Sequence, residues 1–385
     1  MKIVGGNKIT LLKNGAAFFP ALIAAVDAAT ADISIETYIF RDDPTGASIS
    51  HALTQAARRG VAVRVMIDGV GSKDTSPAFF EAMSDAGVNL MVFRPDHRRF
   101  HFAKTRLRRN HRKIALIDGK IGFVGGLNLI DDMTNSLSAH PRYDYAVMVE
   151  GPLLTDIYHA ANQLWQWVAL QHLRRKLLAE PMAPVEPAAA GNLRALFVVR
   201  DNFRHRHAIE ALYRTAITHA QSSVLIVCAY FLPGRRLRRR LIAAAGRGVQ
   251  VTILLQGRAD HPILQMATRA LYAQLLGANI TIYEYQKSML HAKVAVVDDA
   301  WATVGSSNLD PFSLFLNREA NVAVFDKNFA RALRESVMAE IQTGAMICKP
   351  QDWQKRSRLE RMQSWFAYGF ARWAAGMIGI AKRWE

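Results

Sequence analysis

The amino-acid sequence predicts an α/β protein built from two similar domains, each a mixed sheet flanked by helices. Apolar runs of strand length alternate with stretches whose apolar residues recur at helical spacing, which is typical of α/β layer structures. This pattern occurs twice, because Arg59-Gly60-Val61 opens one apolar run and Arg247-Gly248-Val249 opens another. The 385 residues, half of them apolar, suffice for two such cores.

Corresponding elements follow one another in the same order in the two halves. Each half is predicted to contain a strand, a helix and a second strand, and then a glycine-marked turn into a third strand. The predicted strand, helix and strand are Ile33–Phe40, Ile49–Arg59 and Val61–Ile67 in the first half, and Val224–Phe231, Arg236–Arg247 and Val249–Leu255 in the second.

The repeat and a proline-rich stretch predict the domain boundaries. Pro181, Pro184 and Pro187 stand among alanines, which is typical of a stiff linker. We therefore predict an N-terminal domain over residues 1–180, a linker over 181–191 and a C-terminal domain over 192–348. Residues 349–385 form a basic and aromatic C-terminal segment.

The charge balance predicts a polyanionic partner. Lys and Arg number 49 against 32 Asp and Glu, which gives a formal net charge of +17. Either nucleic acid or an anionic membrane surface fits this excess. The two cysteines, Cys228 and Cys348, exclude a disulfide framework and a cysteine-rich zinc site, and they fit a reducing cytoplasm.

The C-terminal segment Trp365–Ile380 combines aromatic and basic residues. We see no export signal, and no apolar run reaches the 18 or so residues of a membrane-spanning helix. Two interpretations of the segment remain open at this stage. It either lies in the headgroup region of a membrane or docks as an amphipathic helix on the protein.

Two matched arrays of polar residues carry the chemistry. Histidine is followed by lysine at two residues, aspartate at seven and asparagine at seventeen, in both halves. A single such array is weak evidence, but two copies in register with an independent duplication are strong evidence. The members are His111, Lys113, Asp118 and Asn128 in the first half and His291, Lys293, Asp298 and Asn308 in the second.

The spacing of these residues has a structural reason. A histidine and a lysine two residues apart on a strand point to the same face. A returning strand then leads to a loop of small residues that ends in asparagine, where glycine permits close approach of a ligand. Two halves related by a pseudo-twofold axis would bring the two sets face to face in one active site at the domain interface.

Such a site suits phosphoryl transfer without a metal ion. One imidazole can attack phosphorus while the other protonates the leaving oxygen. The lysines and asparagines can hold the non-bridging oxygens. We expect Asp118 and Asp298 to orient and polarise the histidines. We see no carboxylate cluster suited to a divalent metal, and we predict no cofactor.

The paired His-x-Lys-x4-Asp arrays, each followed by a Gly-small-x-Asn loop, resemble the phospholipase D superfamily. Further matches make the chain most similar to bacterial cardiolipin synthases of the B type, from about Gly6 to about Lys349. The resemblance implies a covalent phosphatidyl-histidine intermediate, which forms when a histidine displaces glycerol from phosphatidylglycerol. A second phosphatidylglycerol then attacks this intermediate to give cardiolipin. The further matches are Gly6-Asn7-Lys8, Asp144-Tyr145-Ala146-Val147, Ala229–Gly234 and Leu290–Val322.

Three other features have two interpretations each. Asp144 and Glu319 follow the first and second arrays, so each is either a hydrogen-bond partner of a catalytic histidine or an ordinary surface carboxylate. The segment Arg94–Lys113 holds nine Lys or Arg residues and is either a basic flap at the site or a solvated loop.

The resemblance implies a peripheral protein at the cytoplasmic face of the cell membrane. Its expected partner is an anionic phospholipid surface of phosphatidylglycerol and cardiolipin, and no nucleic acid is expected. Two alternatives to a cardiolipin synthase remain. One is a metal-independent phosphodiesterase acting on other phospholipids or on nucleic acid, and the other is a scaffold with inactive motifs. His111 is our choice of nucleophile and His291 of acid and then base, although the duplication makes the two exchangeable.

Overall fold

The structure is a computed structural model that describes residues 2–95, 107–133, 140–173, 187–258, 262–354 and 357–377. The strands of the first half are β1 Val4–Lys13, β2 Asp32–Thr37, β3 Ala62–Asp68, β4 Asn89–Phe93, β5 Ile114–Ile117, β6 Ile121–Gly125 and β7 Tyr145–Glu150. Those of the second half are β8 Leu193–Arg200, β9 Ser223–Cys228, β10 Gln250–Gln256, β11 Thr281–Tyr285, β12 Lys293–Val297, β13 Trp301–Gly305, β14 Glu319–Val324 and β15 Ala345–Ile347.

Helices connect and cover these strands. The first half contains α1 Asn14–Asp27, α2 Pro44–Arg58, α3 Pro77–Asp85 and α4 Leu154–Gln171. The second half contains α5 Ala208–His219, α6 Arg235–Gly246, α7 Pro262–Arg269, α8 Tyr272–Leu276, α9 Pro311–Phe315 and α10 Lys327–Gly344. The C-terminal segment contains α11 Pro350–Gln354 and α12 Arg358–Met377.

Each half forms a mixed sheet with the same strand connections. Strands β2, β3 and β4 are parallel, and β2 also pairs antiparallel with β5, the first strand of the meander β5-β6-β7. The second half repeats this arrangement, with β9, β10 and β11 parallel and with β9 beside the meander β12-β13-β14. The predicted fold class is confirmed.

The two mixed sheets are also joined edge to edge, which the sequence did not predict. Strand β1 pairs with β7, β8 pairs with β14, and β1 and β8 pair with each other. The order of the resulting sheet is β15-β11-β10-β9-β12-β13-β14-β8-β1-β7-β6-β5-β2-β3-β4. Asn7 is fully buried at this junction, where its side chain donates to Val4 O and Leu193 O and accepts from the Leu153 N–H.

Apolar residues of both halves share one core. Val147 and Ile157 of the first half and Val294 and Leu333 of the second half belong to the same buried cluster. Each half also has a core of its own on the outer side of its sheet. Because burial of this shared apolar surface stabilises both halves together, their relative position is set by packing.

The first predicted strand of each half is shorter than its apolar run. The run Ile33–Phe40 leaves the sheet after Thr37, since the Ile39 N–H bonds to the side chain of Asn128 and Phe40 bridges to Leu129. This departure carries Tyr38 out of the sheet and toward the motif residues.

Part of the predicted linker lies outside the described residues. Residues 181–186 of the linker lie there, together with residues 174–180 of the predicted N-terminal domain. Ala190 and Gly191 are described, and their N–H groups donate to Gly6 O. The boundaries at residues 180, 191 and 348 stay predictions.

The C-terminal helix α12 packs on the second half along one face. Ser364, Ala367 and Tyr368 are buried, and the Tyr368 hydroxyl accepts from Arg238 at 3.3 Å. The opposite face exposes apolar side chains, including 78% of Phe366 and 57% of Trp373. Within the described chain, no helix has both the length and the apolarity needed to span a bilayer.

Candidate active site

The two motif histidines lie where the main chains of the two halves meet. The His111 N–H donates to Arg318 O at 2.9 Å, and the His291 N–H donates to Tyr143 O at 2.8 Å. Isolated β-bridges flank both contacts, between Asn110 and Arg318 and between Tyr143 and Leu290. The backbone of each histidine is therefore positioned by the opposite half.

Each histidine side chain also takes its carboxylate partner from the opposite half. His111 Nδ1 lies 3.1 Å from Glu319 Oε2, and His291 Nδ1 lies 2.5 Å from Asp144 Oδ2. A carboxylate on Nδ1 holds that nitrogen as the donor and leaves Nε2 as the nitrogen available to a reacting group. Both carboxylates are buried, so they are not ordinary surface residues.

The two carboxylates occupy equivalent positions in the duplication. Asp144 directly precedes β7 and Glu319 begins β14, the last strand of each meander. Their environments differ, because Ser306 Oγ donates to Glu319 whereas the corresponding residue of the first half is Gly126. Gly126 lies against Asp144 so closely that an added Cβ would lie 2.2 Å from Oδ1.

Lys113 and Lys293 are buried beside the histidines. Lys113 Nζ donates to His111 O at 2.8 Å, and Lys293 Nζ donates to His291 O. Lys113 Nζ also lies 5.4 Å from the ring centre of Tyr38, which packs edge-on against His111 with ring centres 5.0 Å apart. The sequence pattern places Tyr38 in the apolar run Ile33–Phe40 but does not predict its contacts with His111 and Lys113.

The charges of the two arrays act on one another, as in a single shared site. Burial lowers the pKa of Lys113 to about 7, against the attraction of Glu319 and with the repulsion of Lys293. Burial and the Lys293 ammonium lower the pKa of His291 to about 3, and burial likewise lowers the pKa of His111. Burial raises the pKa of Asp144, but His291 and Lys293 outweigh it and the net shift is downward.

These shifts set the charges of the histidines and of Asp144 at neutral pH. Both imidazoles are neutral and Asp144 is ionised. Lys113 stands near its titration midpoint. An anion that enters between the lysines is attracted by them and raises the pKa of the lysines and imidazoles beside it.

The two motif asparagines anchor the loops that follow β6 and β13. Asn128 Oδ1 accepts from the Ile39 N–H at 3.2 Å, and Asn308 Oδ1 accepts from the Tyr230 N–H at 3.5 Å. Because each amide oxygen is engaged with the main chain, the side chain offers a ligand chiefly its N–H donors.

The structure contradicts the predicted role of Asp118 and Asp298. Both lie at the far ends of strands β5 and β12, in turns where their φ angles are +50° and +52°. Each carboxylate accepts hydrogen bonds from three successive backbone N–H groups and one hydroxyl rather than contacting a histidine. The donors are Thr30, Ala31 and Asp32 for Asp118 and Gln221, Ser222 and Ser223 for Asp298.

The described part of the basic segment turns inward. Arg109 bonds to Asp68 at 2.7 Å and Arg112 to Glu36 at 2.6 Å, and all four side chains are buried. This part is therefore not a solvated loop. Residues 96–106, on which most of the predicted flap falls, lie outside the described residues.

Comparison with known proteins identifies the family. A family model described as cardiolipin synthase, PLD-like domain, matches residues 22–166 and 213–339. Cardiolipin synthase B of Escherichia coli K12 is 39% identical over 376 residues, which cover 97% of this chain and 90% of that protein. The chain belongs to the phospholipase D-like cardiolipin synthase family.

One further relative and one solved structure resemble the chain. A probable cardiolipin synthase of Bacillus subtilis is 32% identical and is matched over 96% of this chain and 73% of its own length. The crystal structure of phosphatidylserine synthase from Haemophilus influenzae superposes with a TM-score of 0.73 at 14% identity, over 97% of this chain and 95% of that chain. That likeness shows that this chain and the phosphatidylserine synthase have a common fold.

The first prediction concerns the two turn aspartates. Asp298→Asn is expected to lower the free energy of unfolding by about 1–3 kcal/mol, because it weakens the hydrogen bonds that close the turn. Asp118→Asn should behave alike. The turnover of the folded fraction should stay near that of the unmutated protein. Urea unfolding and product assays below the unfolding midpoint measure both quantities. A large loss of turnover at unchanged stability would restore a catalytic role.

The second prediction concerns acid. His291 has an ordinary pKa of 6.5 and a pKa of about 3 in the folded protein, so between these values the unfolded chain binds the proton first. The free energy of unfolding should fall as pH drops through this window, by up to about 1.4 kcal/mol per pH unit from this group.

The variant His291→Gln isolates this contribution. Its free energy of unfolding should decline less than that of the unmutated protein between about pH 6 and pH 5, because the other groups that titrate in this range, such as Asp132 and Asp310, are present in both proteins. Urea unfolding at several pH values measures the difference. Parallel curves for the two proteins would contradict the neutral state assigned to His291.

Proposed function

We propose that the protein is a cardiolipin synthase that transfers a phosphatidyl group from one phosphatidylglycerol to another, with release of glycerol. The observation that carries this proposal is the pair of histidines, each bonded at Nδ1 to a carboxylate of the opposite half and accompanied by a buried lysine. Family membership supports the phosphatidyl transfer, and relatives named cardiolipin synthase B support the lipid product.

The first step forms a covalent phosphatidyl-histidine. His111 Nε2 attacks phosphorus, so that a P–N bond forms as the P–O bond to glycerol breaks. The leaving oxygen takes a proton from His291, and Glu319 stabilises the charge that develops on the His111 ring. The bound phosphodiester anion raises the pKa of His291, which allows this imidazole to hold the proton that it donates.

The second step reverses these roles. His291, now neutral, removes the proton from a hydroxyl of a second phosphatidylglycerol. Its oxygen forms a new P–O bond as the P–N bond breaks, which releases cardiolipin and restores neutral His111. Asp144 stabilises the imidazolium at His291 in the second step and holds its ring in place throughout.

The lysines and asparagines serve the charge on phosphorus in both steps. Lys113 and Lys293 supply positive charge from a buried site, where electrostatic interactions are stronger than in water. Asn128 and Asn308 add amide N–H donors from the loops after β6 and β13. In this mechanism Asp118 and Asp298 keep the strands in place and take no part in the chemistry.

We propose further that the protein works as a peripheral protein on the cytoplasmic face of the cell membrane, on phosphatidylglycerol and cardiolipin. The net charge of +17 favours an anionic surface. Helix α12 presents an apolar face to solvent that includes Trp365, Phe366, Phe370 and Trp373. Aromatic side chains of this kind favour the interface between headgroups and acyl chains.

The third prediction tests the reaction. Purified protein mixed with phosphatidylglycerol vesicles and a metal chelator should produce cardiolipin and free glycerol. His111→Ala and His291→Ala should each lower the rate by about 10³-fold or more while remaining folded, because each step needs both imidazoles. Mass spectrometry of the lipids and circular dichroism provide the two readouts.

Other products would give a different answer. Phosphatidic acid alone would make water the acceptor and the enzyme a phospholipase. Cleavage of an oligonucleotide without any lipid product would identify a nuclease. Cardiolipin formation by His291→Ala at the unmutated rate would contradict the two-histidine mechanism.

The fourth prediction tests membrane attachment. Replacing Phe366 and Trp373 together by Ser should reduce flotation with anionic vesicles several-fold, since each exposed aromatic side chain contributes about 1 kcal/mol or more on insertion. The matched control is Phe203→Ser, because Phe203 is 61% exposed elsewhere on the surface. Equal flotation of the double variant and the control would contradict the role of α12. Salt concentration must be held constant.

A further inference from the structure

Three arginine side chains lie close to one another near the backbone of His111, without a carboxylate partner of their own. Arg108 precedes the first motif, Arg200 ends β8 and Arg318 directly precedes Glu319. Among the described residues, none of these three guanidinium groups forms an ion pair. The nearby carboxylates are engaged elsewhere: Glu319 with His111, Glu36 with Arg112, Asp68 with Arg109 and Asp201 with His205.

Backbone contacts bring the three arginines together. The Arg318 N–H donates to Arg109 O at 2.8 Å, which sets Arg318 beside the Arg108–Arg109 segment. Arg200 lies opposite Glu319 in the pairing of β8 with β14, and its side chain donates to Asn317 O. Because Arg318 O also accepts the His111 N–H, the cluster adjoins the proposed nucleophile.

The cluster retains unused hydrogen-bonding capacity. Only 2% of the surface of Arg200 is exposed, and its Nε–H has no hydrogen-bond partner. The buried Nε–H of Arg108 also has none. The guanidinium of Arg318 stacks 5.1 Å from the ring centre of Trp167, which orients it. Unpaired buried donors in a group of like charges are costly unless an anion binds them.

The electrostatics of the cluster also favour an anion. Burial lowers the pKa of Arg200 to about 9, with the neighbouring charges of Arg108 and Arg318 adding to the shift against the attraction of Glu319 and Asp201. Burial and the charges of Arg112 and Arg94 lower the pKa of Arg318 to about 10, against the attraction of Asp201 and Glu36. A bound anion would relieve both the repulsion and the loss of hydration.

We propose that Arg108, Arg200 and Arg318 bind the phosphodiester of the acceptor lipid, so that the site selects a phosphatidyl alcohol over water or an uncharged alcohol as the second substrate. The inference rests on the proposed function and deepens it. The reacting phosphate is served by the lysines, and only the second step brings another phosphate into the site. That phosphate is joined to the attacking hydroxyl through the three carbons of glycerol, which fits a cluster next to His111.

Beside His291 the corresponding backbone position is not an arginine, and the nearby positive charge of Arg142 adds to the lowering of the pKa of His291 by burial and by Lys293. The residue at the position of Arg318 is Tyr143, the one before Asp144, and it lies in a cluster of buried tyrosines with Tyr145 and Tyr285. The cluster of three arginines on one side and Arg142 with the buried tyrosines on the other make the two sides of the duplicated site unequal, and the inference assigns the acceptor to the side of the cluster.

The fifth prediction is a competition between two acceptors. Phosphatidylglycerol vesicles are incubated with ethanol, and cardiolipin and phosphatidylethanol are measured together, since both products derive from the same intermediate. Arg318→Gln and Arg108→Gln should lower the ratio of cardiolipin to phosphatidylethanol by about tenfold, as expected for losing charge-assisted hydrogen bonds. Formation of phosphatidylethanol should be retained.

Matched variants keep the outcome interpretable. Arg331→Gln, at an exposed arginine of α10, should leave the ratio unchanged. Arg318→Lys should recover part of it, because charge is kept. Arg200→Gln removes the most buried member, and the partly exposed Arg108 and Arg318 provide the test if that variant fails to fold.

The results separate this inference from the proposed function. An unchanged ratio in Arg318→Gln and Arg108→Gln, or an equal loss of both products, would overturn the acceptor site. Absence of cardiolipin in reactions of the unmutated protein would instead overturn the proposed function itself.

Discussion

The site depends on the hydrogen bond that each motif histidine forms with a carboxylate of the opposite half. His111 relies on Glu319 and His291 relies on Asp144, and the backbone of each histidine is held by the same partner half. Neither half by itself supplies a motif histidine together with its carboxylate partner. The shared apolar core and the joined sheets fix the relative position of the two halves. They therefore set the distances of the hydrogen bonds between the histidines and their carboxylates.

Burial of this constellation explains why the site attracts an anion such as a phosphodiester. Two lysines and two imidazoles are desolvated together, so their pKa values lie below the ordinary ranges and burial disfavours the positively charged form of each group. A phosphate anion supplies the missing interaction. Binding of the substrate thus adjusts the proton affinity of the groups that act on it.

The duplication is close in the main chain and unequal in the side chains. Both halves share strand order, turn aspartates and loop asparagines. Ser306 in the second half corresponds to Gly126 in the first. Arg318, which precedes Glu319, corresponds to the buried Tyr143, which precedes Asp144. Equal arrays supply the two imidazoles, whereas the unequal surroundings can direct the donor and the acceptor phosphatidylglycerol to different sides.

The sequence alone determined the fold class, the family and the paired histidines and lysines of the site, because the strand pattern and the two arrays repeat at matched spacing. It could not assign partners. Asp118 lies seven residues from His111, yet a strand carries it away to a turn, while Glu319 lies 208 residues distant and bonds to the ring. From the sequence, Asp144 and Glu319 were each either a histidine partner or a surface carboxylate. The three arginines of the cluster form no recognisable motif in the sequence. Those contacts form between segments that are remote in the chain, so only the packing of the two halves could decide them.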